Sequence, residues 1–119
     1  MPSNWKAAYD IVKRVPKGHV ITYGTLARAA RLRGGAREAG HAMAACPRGR
    51  GIPWHRVVGA GGRLLIREPF SSLQRRLLEG EGARFAGSRV DMASQEWISP
   101  SLRKRPKAKR RTARRSRPR

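Results

Sequence analysis

Apolar residues recur at helical spacing from the start of the chain. Trp5, Ala8, Ile11, Val12 and Val15 share one face, with Ser3 or Asn4 placed to cap the helix and Pro16-Lys17-Gly18 to stop it. Val20-Ile21 reads as a short extended piece. Thr22 is then a cap for a second helix from about Tyr23 to Arg31, with Leu26, Ala27 and Ala30 as its stripe. Gly34-Gly35 turns the chain into a third helix, about Ala36 to Ala45, built almost wholly from small residues. Such a helix contributes little hydrophobic burial but permits close approach to a neighbouring surface. Two helices joined this way are compatible with a helix-turn-helix.

A Gly- and Arg-rich loop, Arg48 to Gly51, follows Cys46-Pro47. Val57-Val58 and Leu64-Leu65 then flank Gly59-Ala60-Gly61-Gly62. That pattern predicts a hairpin and makes this segment the candidate wing. Ser71 or Ser72 caps a last helix through Leu73, Leu77 and Leu78 to about Gly80. Arg84-Phe85 and Val90-Asp91 close the ordered part, with Trp97 as a final anchor. The expected architecture is mainly α: a helix-turn-helix of winged-helix type over residues 1–99 with a small β-hairpin wing.

Charge changes this picture. The chain has 119 residues, and 28 Lys and Arg against 7 Asp and Glu give a formal net charge of +21. Residues 101–119 carry eleven basic residues and no acidic one, with Leu102 as the sole large apolar side chain. A segment of this kind cannot bury enough surface to offset its ordering entropy, so residues 100–119 are expected to form a disordered tail. Such a tail suits phosphate contact, a solubilising role or a membrane surface; no amphipathic helix accompanies it to favour the last. No apolar run is long enough to span a membrane, and the first residues lack a secretory pattern. Cys46 is the one cysteine, so neither an internal disulfide nor a zinc site of its own can form. An intracellular location is expected: cytoplasmic, and nucleoid-associated in a bacterium.

Pro53-Trp54-His55-Arg56-Val57 resembles the Pro-Cys-His-Arg-Val active-site motif of the O6-alkylguanine-DNA alkyltransferases, with tryptophan at the position of the nucleophilic cysteine. That exchange marks the alkyltransferase-like proteins. Three further stretches match in order. Val15-Pro16-Lys17-Gly18 through Thr22-Tyr23-Gly24 resembles the entry to the helix-turn-helix. Ala36-Arg37-Glu38-Ala39-Gly40-His41-Ala42-Met43 resembles the recognition helix, and Leu77-Leu78-Glu79-Gly80-Glu81-Gly82 the last helix and turn. The resemblance covers about residues 3–97.

Alkyl transfer needs a thiolate, activated through a histidine and a carboxylate. His55 and Glu81 match the latter two; Trp54 cannot replace the first, because an indole N–H only donates. Cys46, eight residues upstream, matches a structural asparagine position and reads as a small buried filler. The resemblance therefore implies recognition without reaction: a base in duplex DNA is rotated out and read at O6. It implies Arg37 as the side chain filling the vacated stack, Tyr23 as the residue that helps turn the 3′ phosphate, and a pocket formed by Trp54, His55, Val57, Val58 and Gly59, with Arg67 over the base. Thr25, Ala36, Gly40, His41, Arg56, Ala60 and Gly61 complete the expected DNA contacts.

The expected partner is double-stranded DNA containing O6-alkylguanine, bound by a monomer that flags the lesion to nucleotide excision repair proteins. No metal, organic cofactor or membrane is implied. Two other readings stay open: a general helix-turn-helix regulator without lesion specificity, and an active alkyltransferase that uses an unexpected residue.

The tail yields a test from charge alone. Each neutralised phosphate contributes about −0.9 to the slope of log affinity against log salt, so engagement of four to six tail charges amounts to roughly 4 to 5 units. Deleting residues 101–119 is expected to flatten the slope by that much while preserving any preference among duplexes. An unchanged slope would make the tail a solubility or protein-contact segment.

Overall fold

The computed structural model describes residues 3–46 and 51–98. The 48–50 part of the expected Gly- and Arg-rich loop, the 99/100 boundary and the basic tail lie outside the described residues. Helix α1 spans Ser3–Arg14, strand β1 Ile21–Thr22, α2 Tyr23–Ala30 and α3 Gly35–Ala44. A 3-10 turn, Trp54–Arg56, leads into β2, Val57–Val58. After a second turn at Ala60–Gly62 come α4, Phe70–Gly80, the strands β3, Phe85–Ala86, and β4, Arg89–Val90, and a short α5, Met92–Gln95.

The expected helices are present for local reasons. Thr22 has extended backbone, and its hydroxyl accepts from the Thr25 amide at 3.0 Å, capping α2. Arg31 ends that helix in the left-handed conformation (φ 58), and Leu32 N–H returns to Ala27 O at 2.9 Å. Gly35, at φ 64, opens α3 with a backbone that a larger residue would strain. Helices α1 to α3 pack together around Ala8, Val12, Leu26 and Ala39, all fully buried. Tyr9 joins them and donates its hydroxyl to Ala42 O at 2.8 Å, pinning α1 to α3.

The expected wing at 57–65 is not formed. Val57-Val58 pairs in parallel with β1, Ile21 opposite Val57 and Thr22 opposite Val58, and residues 63–66 form no strand. The physical reason is burial on both faces. Side chains alternate along a strand, so Ile21 and Val57 enter the α1–α3 core, whereas Val20 and Val58 enter a second cluster with Leu78, Ala83 and Val90. Two adjacent valines with no polar side therefore fit a central pair rather than an exposed hairpin. The hairpin lies instead at β3–β4, with Phe85 opposite Val90.

One smaller expectation also changes. Neither Ser71 nor Ser72 caps α4, whose cap position is Pro69; Glu68 reaches forward to accept from the Ser72 amide at 3.1 Å and its hydroxyl at 2.9 Å. Trp97 does anchor the end of the described chain. Its amide donates to Val20 O at 2.7 Å, and its ring packs against the first cluster.

Candidate nucleic-acid interface

The site begins at the front of α3. Glu38, in the helix's first turn, accepts from the Gly34 amide at 2.8 Å through Oε1 and from the Trp5 indole at 2.9 Å through Oε2. One carboxylate thus caps the helix and fastens it to α1. The Gly34 hydrogen bond, then that of Trp5, holds this carboxyl below its usual range. Arg37 precedes it on the exposed side of the same turn. Sequence reasoning missed Glu38 and Trp5; the signal was a carboxylate in the first turn directly after Gly34-Gly35.

The second half is built around Glu81, just past the end of α4. Its Oε1 accepts from Arg56 Nε at 3.0 Å, and its Oε2 from Arg56 Nη2 at 2.7 Å. His55 Nε2 lies 3.0 Å from Oε2, and because an ionised carboxylate only accepts, that nitrogen is the donor. Arg56 also donates through Nη1 to Val15 O at 2.8 Å. Burial pushes the Glu81 carboxyl upward, but the hydrogen bonds and positive charge of Arg56 and His55 outweigh it and hold it at about 2. Gln74, 2% exposed, donates through Nε2 to His55 O at 3.0 Å and Val57 O at 2.9 Å. The 3-10 turn carrying Trp54 is therefore held from both sides. Gln74 carries no signal in the sequence, because its role lies in a long-range contact.

Trp54 stands edge-on to His55, with ring centroids 6.1 Å apart at 87°. It faces a cleft of about 1350 Å³. From α2 and α3 come Tyr23, Ala36, Arg37 and Gly40, and from the turn after β2 come Gly59 and Ala60. The cleft brings together seven of the expected site residues, counting Trp54. Burial raises the pKa of the Tyr23 hydroxyl.

Other expected residues lie elsewhere. Val57 and Val58 are fully buried in the two clusters, so their side chains do not form the pocket wall. Thr25 is buried as part of the α2 cap, bonded to Thr22 Oγ1, and Arg56 is committed to Glu81 and Val15, so neither side chain is placed for DNA. His55 sits behind Trp54 on Glu81. His41, Gly61 and Arg67 are exposed but do not line the cleft. Cys46 is half-buried and does line it, contrary to its reading as core filler.

One wall was not foreseen. Leu65, Ile66, Phe70 and Leu73 line the cleft, and Leu65 and Phe70 are 60% and 45% exposed. Leu64-Leu65 read as strand residues; Leu64 packs on the second cluster, and its neighbour Leu65 is left at the cleft. Arg28, which donates to Thr25 Oγ1 at 3.2 Å, also lines it.

The family model of the 6-O-methylguanine DNA methyltransferase DNA-binding domain matches residues 3–83. The chain belongs to this family. It is 36% identical over 90 residues to a DNA base-flipping protein of Escherichia coli, covering 75% of this chain and 70% of that one. It is likewise 36% identical over 84 residues to Alkyltransferase-like protein 1 of Schizosaccharomyces pombe, covering 69% and 78%. Its fold matches the crystal structure of S. pombe Atl1 in complex with damaged DNA containing O6-carboxymethylguanine, with a TM-score of 0.70 at 29% identity, over 82% of this chain and 96% of that one. The Mycobacterium tuberculosis O6-methylguanine methyltransferase matches with a TM-score of 0.61 at 29% identity, over 72% of this chain and 52% of that one.

Among the described residues, no group of three His, Cys, Asp or Glu side chains could hold a metal ion. No helix among them is long and apolar enough to cross a membrane.

Glu81 sets a pH dependence. Its folded value of about 2 lies below the ordinary 4.5, so its contribution to stability is complete above about 4.5 and drains as pH falls from there through about 2. Denaturation of the native chain and of Glu81→Gln between pH 2 and 7 is expected to show a stability gap at neutrality that narrows on acidification. A gap independent of pH would contradict this role for the Glu81 carboxylate.

Proposed function

We propose that this chain is a non-enzymatic sensor of DNA damage, which binds O6-alkylguanine in duplex DNA and holds the base in the cleft. The observation that carries the reading is Trp54: an indole faces the cleft beside an intact His55–Glu81 pair, where the family's reaction requires a thiol. The names of the E. coli and S. pombe relatives, and the damaged DNA bound by S. pombe Atl1, support the same reading.

The residues at the cleft divide the work. The α3 N-terminus, with exposed Arg37 and small Ala36 and Gly40, approaches the duplex closely. Arg37 occupies the space the base vacates, because a planar guanidinium stacks on the neighbouring bases while keeping its charge. Tyr23, at the start of α2, turns the phosphate beside the lesion. Trp54 gives the extruded base an apolar wall, and Gly59 and Ala60 leave room for it. His55 and Glu81 hold the Trp54 turn in place rather than activate a nucleophile. The exposed Arg67, within the segment between Ile66 and Phe70, moves over the bound base.

Residues 1–99 form the DNA-binding domain, and the tail adds phosphate contacts indifferent to damage. The protein works as a monomer in the cytoplasm, on the nucleoid in a bacterium, and marks the lesion for nucleotide excision repair. It needs no cofactor.

Arg37→Ala separates recognition from general affinity. Extrusion costs a few kcal/mol of unstacking, part of which the inserted side chain offsets, so binding to an O6-methylguanine duplex is expected to fall about tenfold or more. Binding to the undamaged duplex is expected to change much less. Equal losses on both duplexes would reduce Arg37 to a phosphate contact.

A further inference from the structure

The β3–β4 hairpin lies beyond the residues matched by the family model, and nothing in the site described so far uses it. It is nevertheless firmly placed. The Arg75 guanidinium, from α4, stacks 4.3 Å above the Phe85 ring centroid and donates through Nη1 to Gly87 O at 3.0 Å. Val90 is 2% exposed in the second cluster. On the other side the hairpin abuts the turn after β2. A Cβ added to Gly62, which sits at φ +89, would lie 2.4 Å from Val90 O and 2.9 Å from Val90 N, so only glycine permits this approach.

The contact fixes where Arg89 points. Val90 faces inward, and its neighbour Arg89 is exposed. The Arg89 Nη1 lies 3.6 Å from the position a Cβ of Gly61 would take. Gly61 follows Ala60, which lines the cleft. A guanidinium is thus presented from an anchored hairpin against the turn after β2, whose Gly59 and Ala60 line the cleft. Among the described residues Arg89 forms no ion pair. Ordering a long cationic side chain against a bare glycine backbone, with no carboxylate to neutralise it, suits an anion supplied from outside.

We propose that β3–β4 is the wing of this fold and that Arg89 binds a backbone phosphate of the duplex beside the extruded nucleotide. This rests on the reading that the cleft receives a DNA base. Arg89 contacts the backbone and reads no base edge, so it contributes affinity and register without distinguishing damage. The duplex is then held from two directions, by α3 and by the hairpin.

The test uses the full chain, with Arg89→Ala, Arg89→Lys and Arg89→Glu variants. Each is titrated against matched duplexes with and without one O6-methylguanine, over a salt series. Removing one phosphate contact is expected to lower the salt slope by about 0.9 and to weaken both duplexes by the same factor, about three- to tenfold at low salt. Lysine is expected to restore most of this loss, and glutamate to deepen it. An unchanged slope and affinity in Arg89→Ala would overturn the proposal. So would a loss that lysine fails to restore and that tracks a lowered melting temperature, since Arg89 would then serve the hairpin alone. A parent chain with no preference for the lesion duplex would defeat the damage-sensing reading, while the Arg89 slope would still decide the wing.

Discussion

The half of the cleft that carries Trp54 depends on the Glu81 carboxylate. It is largely buried, and it stays ionised because Arg56 meets it with two hydrogen bonds and His55 with a third. Those bonds join parts of the chain far apart in sequence. Glu81 follows α4, His55 and Arg56 lie in the turn with Trp54, and Arg56 continues to the carbonyl of Val15 after α1. Loss of Arg56 leaves this carboxylate with one hydrogen bond in place of three, which is costly in a way that loss of an exposed pair is not. In a reactive relative this geometry would prepare a thiol. Here it braces the turn from which an indole faces the cleft.

The opposite side follows a second economy of charge. Glu38 answers the orphan amide at the start of α3 and the Trp5 indole with one side chain, so the helix front is fixed without a bulky group. The exposed face can then consist of Ala36, Gly40 and the long Arg37. Because the fixing is done from behind, that face stays small apart from Arg37, which is what the proposed insertion into a duplex requires. The two strands of the central pair, buried on both faces, hold these halves of the cleft in register.

Much of this was legible in the sequence. Helical spacing located α1, α2 and α4, Thr22 announced its cap, and Gly34-Gly35 marked the turn before α3. The Pro53 to Val57 motif and Glu81 point to the hub. Long-range pairing was not legible. Local pattern made Val57-Val58 one arm of a hairpin, because nothing nearby reveals a parallel partner at Ile21-Thr22. The same error made Leu65 a strand residue, although it packs over Gly59 at the cleft. Arg56 and Thr25 were assigned to DNA because they sit within or beside matching motifs, whereas hydrogen bonding inside the protein already occupies them. A motif places a residue type; only its neighbours decide whether the side chain is available.

The central claim is that the cleft recognises a lesion and performs no chemistry on it. It is tested most directly by titrating the chain, at one defined salt concentration, against two duplexes that differ by a single O6-methylguanine, and then weighing the recovered protein. The expected result is tighter binding to the lesion duplex, with the protein mass unchanged and the base still methylated. Equal affinity for both duplexes, or a methyl group transferred in stoichiometric yield to Cys46, would contradict the account.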